Sequence, residues 1–335
     1  MKKTVHSVTL SNGNLQSSGL SNTDYAIAGF VSSFLSRFVI QPLDVVKIRF
    51  QLQIESTGNV QKWISAYKVR GNFASPGKYV AIRQSIKLMV AEEGVLALWK
   101  GILPAQVLSV VYGAAQFCSF EVLRRQLSKQ NVMPLSKNTN HLVSGGCAGA
   151  FAITVSYPLD LIRTRFSAQG EPKMYHSVYS ACKHIYSSGG MRAFYRGLMP
   201  AVCIYTPQTS IQFGVFKFLL SKSSSNEKII ESGQADALRS AVCGFAAGII
   251  SKACVFPLDL MKKRLQIVGF EAGRTGMGEY VHYRSLTDLV KSIIRTETIA
   301  GFYKGLWPAL IKAGAYSAVS FLFYEQMCGI LLCLK

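Results

Sequence analysis

At 335 residues, 49% hydrophobic and only 16% charged, the chain is more apolar than an ordinary soluble domain of its size. Its 37 Lys and Arg against 17 Asp and Glu leave a net charge of +20, which favours anionic partners: nucleic acid, anionic lipid or an anionic small molecule. The eight cysteines form no CxxC pair and lie mostly in apolar stretches, so neither a zinc site nor a disulfide framework is suggested, and most are expected as small core residues.

Residues 1–23 have two early lysines but no apolar core of secretory-signal length, and they read as a polar tail without a cleaved signal. Tyr25 to Leu43 is an apolar run long enough to cross a bilayer as a helix, interrupted by a single charge, Arg37. It runs into "SRFVIQPLDVVKIRFQ" (36–51), where Pro42 should kink or break the helix and Asp44, Lys47 and Arg49 are costly in apolar surroundings. Arg49 is expected at the membrane edge. "YVAIRQSIKLMVAEEG" (79–94) has apolar residues at helical spacing with basic ones between them, the pattern of a helix lying on a membrane surface. "WKG" (99–101) then opens an uncharged run, Gly101 to Phe120.

The series starts again with Leu142 to Leu159, uncharged, followed by "VSYPLDLIRTRFS" (155–167), "SGGMRAFYRG" (188–197) and the uncharged run Gly197 to Phe216. A third series follows. Ser240 to Leu258 carries only Lys252, "CVFPLDLMKKRLQ" spans 254–266, "YRSLTDLVKSIIRTE" (283–297) is amphipathic, "TETIAGFYKG" spans 296–305, and Gly305 to Tyr324 carries only Lys312.

Pro42, Pro158 and Pro257 recur at intervals of 116 and 99 residues, which suits a repeat of two long helices and a connection. The chain divides accordingly into a tail (1–23) and three repeats (24–131, 132–232 and 233–335) of one integral membrane unit. Gly29, Gly145 and Gly244 lie thirteen residues before the prolines, and Ser33, Gly149 and Gly248 nine before. Small residues four apart let helix backbones approach closely, so three equivalent interfaces around an axis are expected. Six spans put both termini on one side and the basic connections on the other, which the positive-inside rule makes the interior.

In each motif the carboxylate and cation three residues apart occupy adjoining parts of one helix face: Asp44 with Lys47, Asp160 with Arg163, Asp259 with Lys262. The plain alternative is a set of interfacial charges anchoring helix ends, which a threefold pattern disfavours. Arg37 and Lys252 each lie five residues before a motif proline, with Ile153 at the third such place, and Lys312 lies seven residues after Gly305, about 10 Å along a helix. A cation at that depth needs a wet cavity or a counter-charge. With no carboxylate inside these runs, the expected counter-ion is an anionic cargo; snorkelling or structural lipid is the alternative.

Three copies of P-x-[DE]-x-x-[KR]-x-[KR], each followed by an acidic-Gly pair and then aromatic-[KR]-Gly, resemble the mitochondrial carrier family over residues 22 to 331. The resemblance implies an all-α membrane protein: six transmembrane helices in a pseudo-threefold barrel of three two-helix repeats, each with a short matrix-side amphipathic helix. It implies a monomer in the mitochondrial inner membrane, both termini toward the intermembrane space, that opens a central site alternately to each side. Within the family, "QPLDVVKIRFQLQ" and "ISKACVFPLDLMKKRLQIVGFE" are most similar to members that carry thiamine pyrophosphate, here a transported substrate and not a catalytic cofactor. Import in exchange for a nucleotide or thiamine phosphate follows. The alternatives are another phosphorylated cofactor or nucleotide, such as an adenylate, a deoxynucleotide or coenzyme A, or a receptor or scaffold that transports nothing.

The resemblance also carries over site residues. A matrix gate would pair Asp44 with Arg163, Asp160 with Lys262 and Asp259 with Lys47, partly hydrated and worth about 0 to 1 kcal/mol each. Gln51 and Gln266 would brace it, with Ser167 in the third place. Substrate would touch Leu108, Ile204, Tyr205 and Lys312, besides Arg37 and Lys252; Tyr205 is a stacking surface or simply a packed tyrosine. A cytosolic gate would use Phe120, Glu121, Arg124, Tyr324 and Glu325. It is expected to be weak, because Phe216, Lys217 and Leu220 break the pattern and Cys328 stands where a cation belongs. Trp99, Lys100, Gly101, Tyr195, Arg196, Gly197, Tyr303, Lys304 and Gly305 begin the even-numbered spans, where helix N–H groups and cations would hold cardiolipin; simple aromatic and cation anchoring is the alternative. Gly189 and Thr298 depart from the acidic-Gly pattern.

Enzymatic readings find little. "GNFASPGKY" (71–79) imitates a phosphate loop, but has five residues between its glycines and Tyr79 in place of Ser or Thr. No HExxH or Gly-x-Ser-x-Gly occurs, so no catalytic residue and no metal site is expected. Nucleic acid as a partner would account for the charge but not for six spans.

Overall fold

The computed structural model describes residues 21–53, 79, 81–130, 137–224, 233–270, 273, 283 and 285–333. Residues 1–20 of the expected polar tail and most of the phosphate-loop imitation lie outside the described residues, while Asn22 and Thr23 of the tail already belong to the first helix. The helices are α1 (Asn22–Leu52), α2 (Ile82–Glu93), α3 (Ile102–Gln130), α4 (Lys137–Ala168), α5 (Val178–Ala193), α6 (Leu198–Ser224), α7 (Gly233–Gln266), α8 (Leu286–Glu297) and α9 (Leu306–Cys333). Short 3-10 turns at Val95–Trp99 and Ile299–Tyr303 lead into α3 and α9. No strand occurs among the described residues.

The broadest contacts are α3 on α4, α6 on α7 and α9 on α1; the two long helices of one repeat touch less, and α1, α4 and α7 touch one another. Followed in order, these contacts close a cycle of six long helices. Their outward faces are apolar: Phe30, Phe34 and Phe38 recur once per turn on α1 and all are exposed. Five segments, Thr23–Leu52, Val95–Gln126, Ser144–Ala168, Val242–Gln266 and Ile299–Cys333, are long and apolar enough to cross a membrane. The remaining long helix, α6, is not among them, although it has 27 residues and carries no charge before Lys217. The cysteines correct an expectation. Only Cys243 is buried, and Cys118, Cys147, Cys203, Cys254 and Cys333 are exposed, because much of this molecule's apolar surface faces outward.

The packed core sits at the proline-motif ends of α1, α4 and α7, where Ile48, Leu52, Leu161 and Ile162 meet Ile185 and Phe194 beside α5, and Leu260 and Met261 meet Leu289 and Ile293 of α8. At the other end the helices part. The small-residue pattern was expected to mark close interfaces, yet a side chain at Gly29, Gly145 or Gly248 would meet nothing within 4 Å. Gly149 alone is tightly covered, by the Tyr205 ring. The faces bearing these residues are spread apart in this conformation.

Each motif proline lies within a continuous helix. Proline at position 42 frees the carbonyl four residues earlier, and the Trp99 indole N–H donates to that Phe38 carbonyl at 3.0 Å. The expected amphipathic helices begin three residues late, at Ile82 and Leu286. Tyr79 and Tyr283 are instead buried anchors before the helices, as is Tyr175 in the second repeat.

After α2 and α8, and at the kink in α5, the chain turns through one unusual conformation: Gly94 (φ 82°, ψ 168°), Gly190 (φ 61°, ψ −157°) and Thr298 (φ 62°, ψ −175°). Glycine reaches this region freely, whereas a β-branched residue is strained there by about 1–3 kcal/mol. Thr298→Gly should therefore raise the melting temperature of the purified protein by a few degrees. An unchanged or lower value would show that the strain is relieved by contacts of the threonine.

Candidate functional site

The proline-motif ends of α1, α4 and α7 bring together all six residues expected to form a gate. Asp44 pairs with Arg163, Lys262 with Asp160 at 2.8 Å, and Lys47 with Asp259 at 2.9 Å, so every pair joins two different repeats. Gln266 Nε2 donates to Asp160 at 2.8 Å and Gln51 Nε2 to Asp259 at 3.4 Å. Ser167, the third counterpart, donates instead to the Lys100 carbonyl at 3.2 Å. The expectation of partly hydrated pairs needs correction: the six side chains are only 5–18% exposed. Removing the carboxylate of so buried a pair strands positive charge and costs about 3–5 kcal/mol, well above the surface value.

Each carboxylate also holds a second cation. Lys312 reaches Asp44, Lys252 reaches Asp259 at 3.3 Å, and Lys263 reaches Asp160 at 3.3 Å. This corrects the reading that Lys252 and Lys312 have no carboxylate to pair with. Lys252 lies seven residues, two helical turns, before Asp259 on the same face of α7, and its long chain closes the gap. Lys312 is brought to Asp44 by the packing of α9 on α1. Arg37, by contrast, makes no ion pair among the described residues and lines the cavity above them.

A second cycle of cations lies beneath the first. Arg49, Arg165 and Arg264, each seven residues after a motif proline, are almost fully buried. Arg49 donates to the Ser167 carbonyl (3.2 Å), Arg165 to that of Gln266 (3.0 Å) and Arg264 to that of Gln51 (3.2 Å), so each guanidinium holds the end of the next repeat's helix. Arg49 is bidentate to Glu93 through both terminal nitrogens, and Arg264 donates to both Glu297 oxygens from Nη2 alone. Burial pushes the Glu93 carboxyl up, but Arg49 and Lys100 beside it hold it below its ordinary value. In the second repeat Gly189 supplies no such carboxylate, and Arg165 donates to the Tyr175 hydroxyl and the Val268 carbonyl just as Arg49 donates to the Tyr79 hydroxyl and the Gln169 carbonyl.

Above the ion pairs lie two cavities. One of about 300 Å³ is lined by Arg37, Lys47, Arg163, Lys252 and Lys312 together with Gln208 and Tyr316. The other, about 220 Å³, has Leu108, Tyr112, Ile153 and Tyr157 in its wall. Of the expected substrate contacts, Arg37, Leu108, Lys252 and Lys312 therefore line these cavities. Ile204 is buried, and Tyr205 packs over Gly149 and accepts a hydrogen bond from Gln116 at 3.0 Å. Neither lines either cavity. Tyr112, Gln208 and Tyr316 had not been anticipated, although each stands eleven residues after the glycine that opens its span. The buried Tyr79, Tyr175 and Tyr283 were equally legible, each fourteen residues before Glu93, Gly189 and Glu297.

At the opposite end no cross-helix pair forms among the expected gate residues. Glu121 pairs with Arg124 (3.2 Å) and Arg125 (2.8 Å) of its own helix, and Glu325 is exposed on α9. Phe120 and Tyr324 are half-buried on α3 and α9. The molecule is thus closed at the proline-motif end and open at the other.

Gly101, Gly197 and Gly305 open α3, α6 and α9 with φ of 83°, 86° and 82°. A side chain at Gly101 would strike the Arg163 carbonyl at 2.9 Å, so these turns need glycine for contact as well as conformation. The neighbouring cations are engaged: Lys100 with Glu93 (2.7 Å) and Glu171 (3.2 Å), Arg196 with the Val268 carbonyl (2.9 Å), Lys304 with Glu297 (3.3 Å). Trp99 packs on Phe38, Tyr195 on Tyr157 and Tyr303 on Phe256. A cavity of about 420 Å³ lies between Arg196 and Gly197 at the start of α6 and Ser285 and Leu286 at the start of α8.

The family described as "Mitochondrial carrier protein" matches three stretches of the chain, 18–131, 135–226 and 233–333. The chain is 39% identical over 321 residues to the mitochondrial thiamine pyrophosphate carrier of Homo sapiens, covering 95% of each chain. Similarity to the Pongo abelii protein of that name is the same, 39% over 321 residues. The mitochondrial thiamine pyrophosphate carrier 1 of Coccidioides immitis is 36% identical over 308 residues, 91% of each chain.

Proposed function

The chain belongs to the mitochondrial carrier family, and from that premise we propose that it imports thiamine pyrophosphate through the mitochondrial inner membrane in exchange for a nucleotide or thiamine phosphate. The names of the most similar relatives support the substrate. The observation that carries the reading is the charge at the cavity floor. Six cations (Arg37, Lys47, Arg163, Lys252, Lys262 and Lys312) line the two cavities against two carboxylates (Asp44 and Asp160), an excess of four positive charges in a water-accessible pocket. A polyanion is the natural occupant.

In this reading six spans, α6 included, form a pseudo-threefold barrel of three repeats (24–131, 132–232, 233–335), a monomer with both termini toward the intermembrane space. Phosphate oxygens entering from the open end compete with Asp44 and Asp259 for Lys312 and Lys252, which already neutralise those carboxylates. Drawing the cations toward cargo weakens the closed gate, and binding energy offsets the cost of opening it. Gln51 and Gln266 brace the pairs, and Glu121, Arg124 and Glu325, with Phe120 and Tyr324, serve the opposite gate. Ile204 and Tyr205 act from behind the cavity wall. Cardiolipin phosphates occupy the helix starts at Gly101, Gly197 and Gly305, the cavity beside Arg196 being the best formed.

Uptake into proteoliposomes preloaded with nucleotide, across labelled thiamine pyrophosphate, thiamine monophosphate, thiamine, adenylates, deoxynucleotides and coenzyme A, tests the proposal. Thiamine pyrophosphate should enter fastest. Preference for an adenylate, a deoxynucleotide or coenzyme A would overturn the cargo while leaving a carrier, and no uptake of any would favour a receptor or scaffold.

A further inference from the structure

The two cavities share only Arg37 and Arg163, and they differ in a way that the repeats explain. The position seven residues after the span-opening glycine is Leu108 in the first repeat and Lys312 in the third; the position five before the motif proline is Ile153 in the second and Lys252 in the third. Both lysines line the larger cavity, and both apolar residues line the smaller. A threefold barrel would have given equal lobes. Substitution at equivalent positions has instead produced one lobe with five cations and one in which Arg37, Arg163 and Lys262 are joined by a wall of Leu108, Tyr112, Ile153 and Tyr157.

We propose that this division orients the cargo, an inference that rests on the thiamine pyrophosphate reading: the pyrophosphate occupies the α1–α7–α9 lobe, and the flat heterocycle lies in the α3–α4 lobe against Tyr112. Of the two tyrosines there, Tyr157 is already engaged. Its hydroxyl donates to the Arg196 carbonyl at 2.7 Å, and Lys262 lies 5.8 Å from its ring centre. Tyr112 is half-buried, and its hydroxyl lies near that of Tyr205. Tyr205 is itself held by Gln116 and by its packing over Gly149. Tyr112 is therefore the ring that meets substrate. Arg37 and Arg163, common to both lobes, lie where the phosphate nearest the organic part would sit.

Thermal stabilisation of the purified full chain, titrated with thiamine pyrophosphate and separately with inorganic pyrophosphate, distinguishes the lobes. Tyr112→Leu should weaken thiamine pyrophosphate roughly threefold to tenfold, the worth of one aromatic stacking contact, while inorganic pyrophosphate stays within about twofold of the parent. Tyr112→Phe, which keeps the ring, should bind like the parent. The retained pyrophosphate response is the folding control; were it lost, Leu108→Asn in the same lobe should give the same split. Equal weakening of both ligands, no weakening of either, or a selective loss of thiamine pyrophosphate in Tyr316→Leu would overturn the orientation. A parent that responds to pyrophosphate but ignores thiamine pyrophosphate overturns the cargo reading and the orientation together. A parent that binds both, with Tyr112→Leu unaffected, overturns the orientation alone.

Discussion

Asp44→Lys should reduce transport on the order of a hundredfold or more, to the background of empty liposomes. Asp44 is 5% exposed at its side chain and lies between Arg163 of α4 and Lys312 of α9. A lysine there would place three cations together with no anion, in a site where stranding even one charge costs about 3–5 kcal/mol. Closure at this end would be lost, and with it the conformation that opens the other way. Arg163→Asp alone should also fail, because it sets two carboxylates face to face. The two changes together should restore part of the flux, since they reverse the pair. Recovery remains partial because Lys312 still faces the introduced lysine. Either single variant transporting like the parent would show that this pair is not part of a gate.

Lys312→Ala carries the second large effect. Lys312 lies at the junction of gate and cavity, contacting Asp44 while lining the larger lobe. A charge-assisted bond to a phosphate oxygen is worth about 1.5–3 kcal/mol, so affinity for thiamine pyrophosphate and for inorganic pyrophosphate should both fall roughly tenfold to a hundredfold. Lys312→Arg should retain most of it. If the alanine variant binds pyrophosphate-bearing cargo as tightly as the parent, Lys312 serves only to neutralise Asp44. The contrast with Tyr112→Leu is informative, because that variant should spare inorganic pyrophosphate.

Repetition made much of this protein legible before any coordinate was known. Three copies of one motif specify a threefold set of equivalent positions, and departures at those positions, such as Ile153 for a cation or Leu108 for Lys312, mark where symmetry is broken. A proline followed by Asp and a cation three residues later places opposite charges near one helix face whatever the helix packs against. The late starts of α2 and α8 were not legible, because an apolar tyrosine satisfies helical periodicity as well as it fills a buried pocket before the helix.

The sequence by itself determined that the chain is helical, apolar and repeated, and it identified which residues carry charge at each repeat's motif. Pairing between helices was decided by the tertiary structure. The Lys252–Asp259 pair, seven residues apart on α7, was within reach of the spacing alone, whereas whether Lys312 awaits a ligand or already holds a carboxylate depends on α9 packing against α1, which no local pattern encodes. The same holds for Arg49, a surface charge by local hydropathy but a buried clamp once the end of α4 and Glu93 surround it. Helix and span follow from short-range periodicity, whereas burial and counter-charge are properties of the whole closed ring of helices.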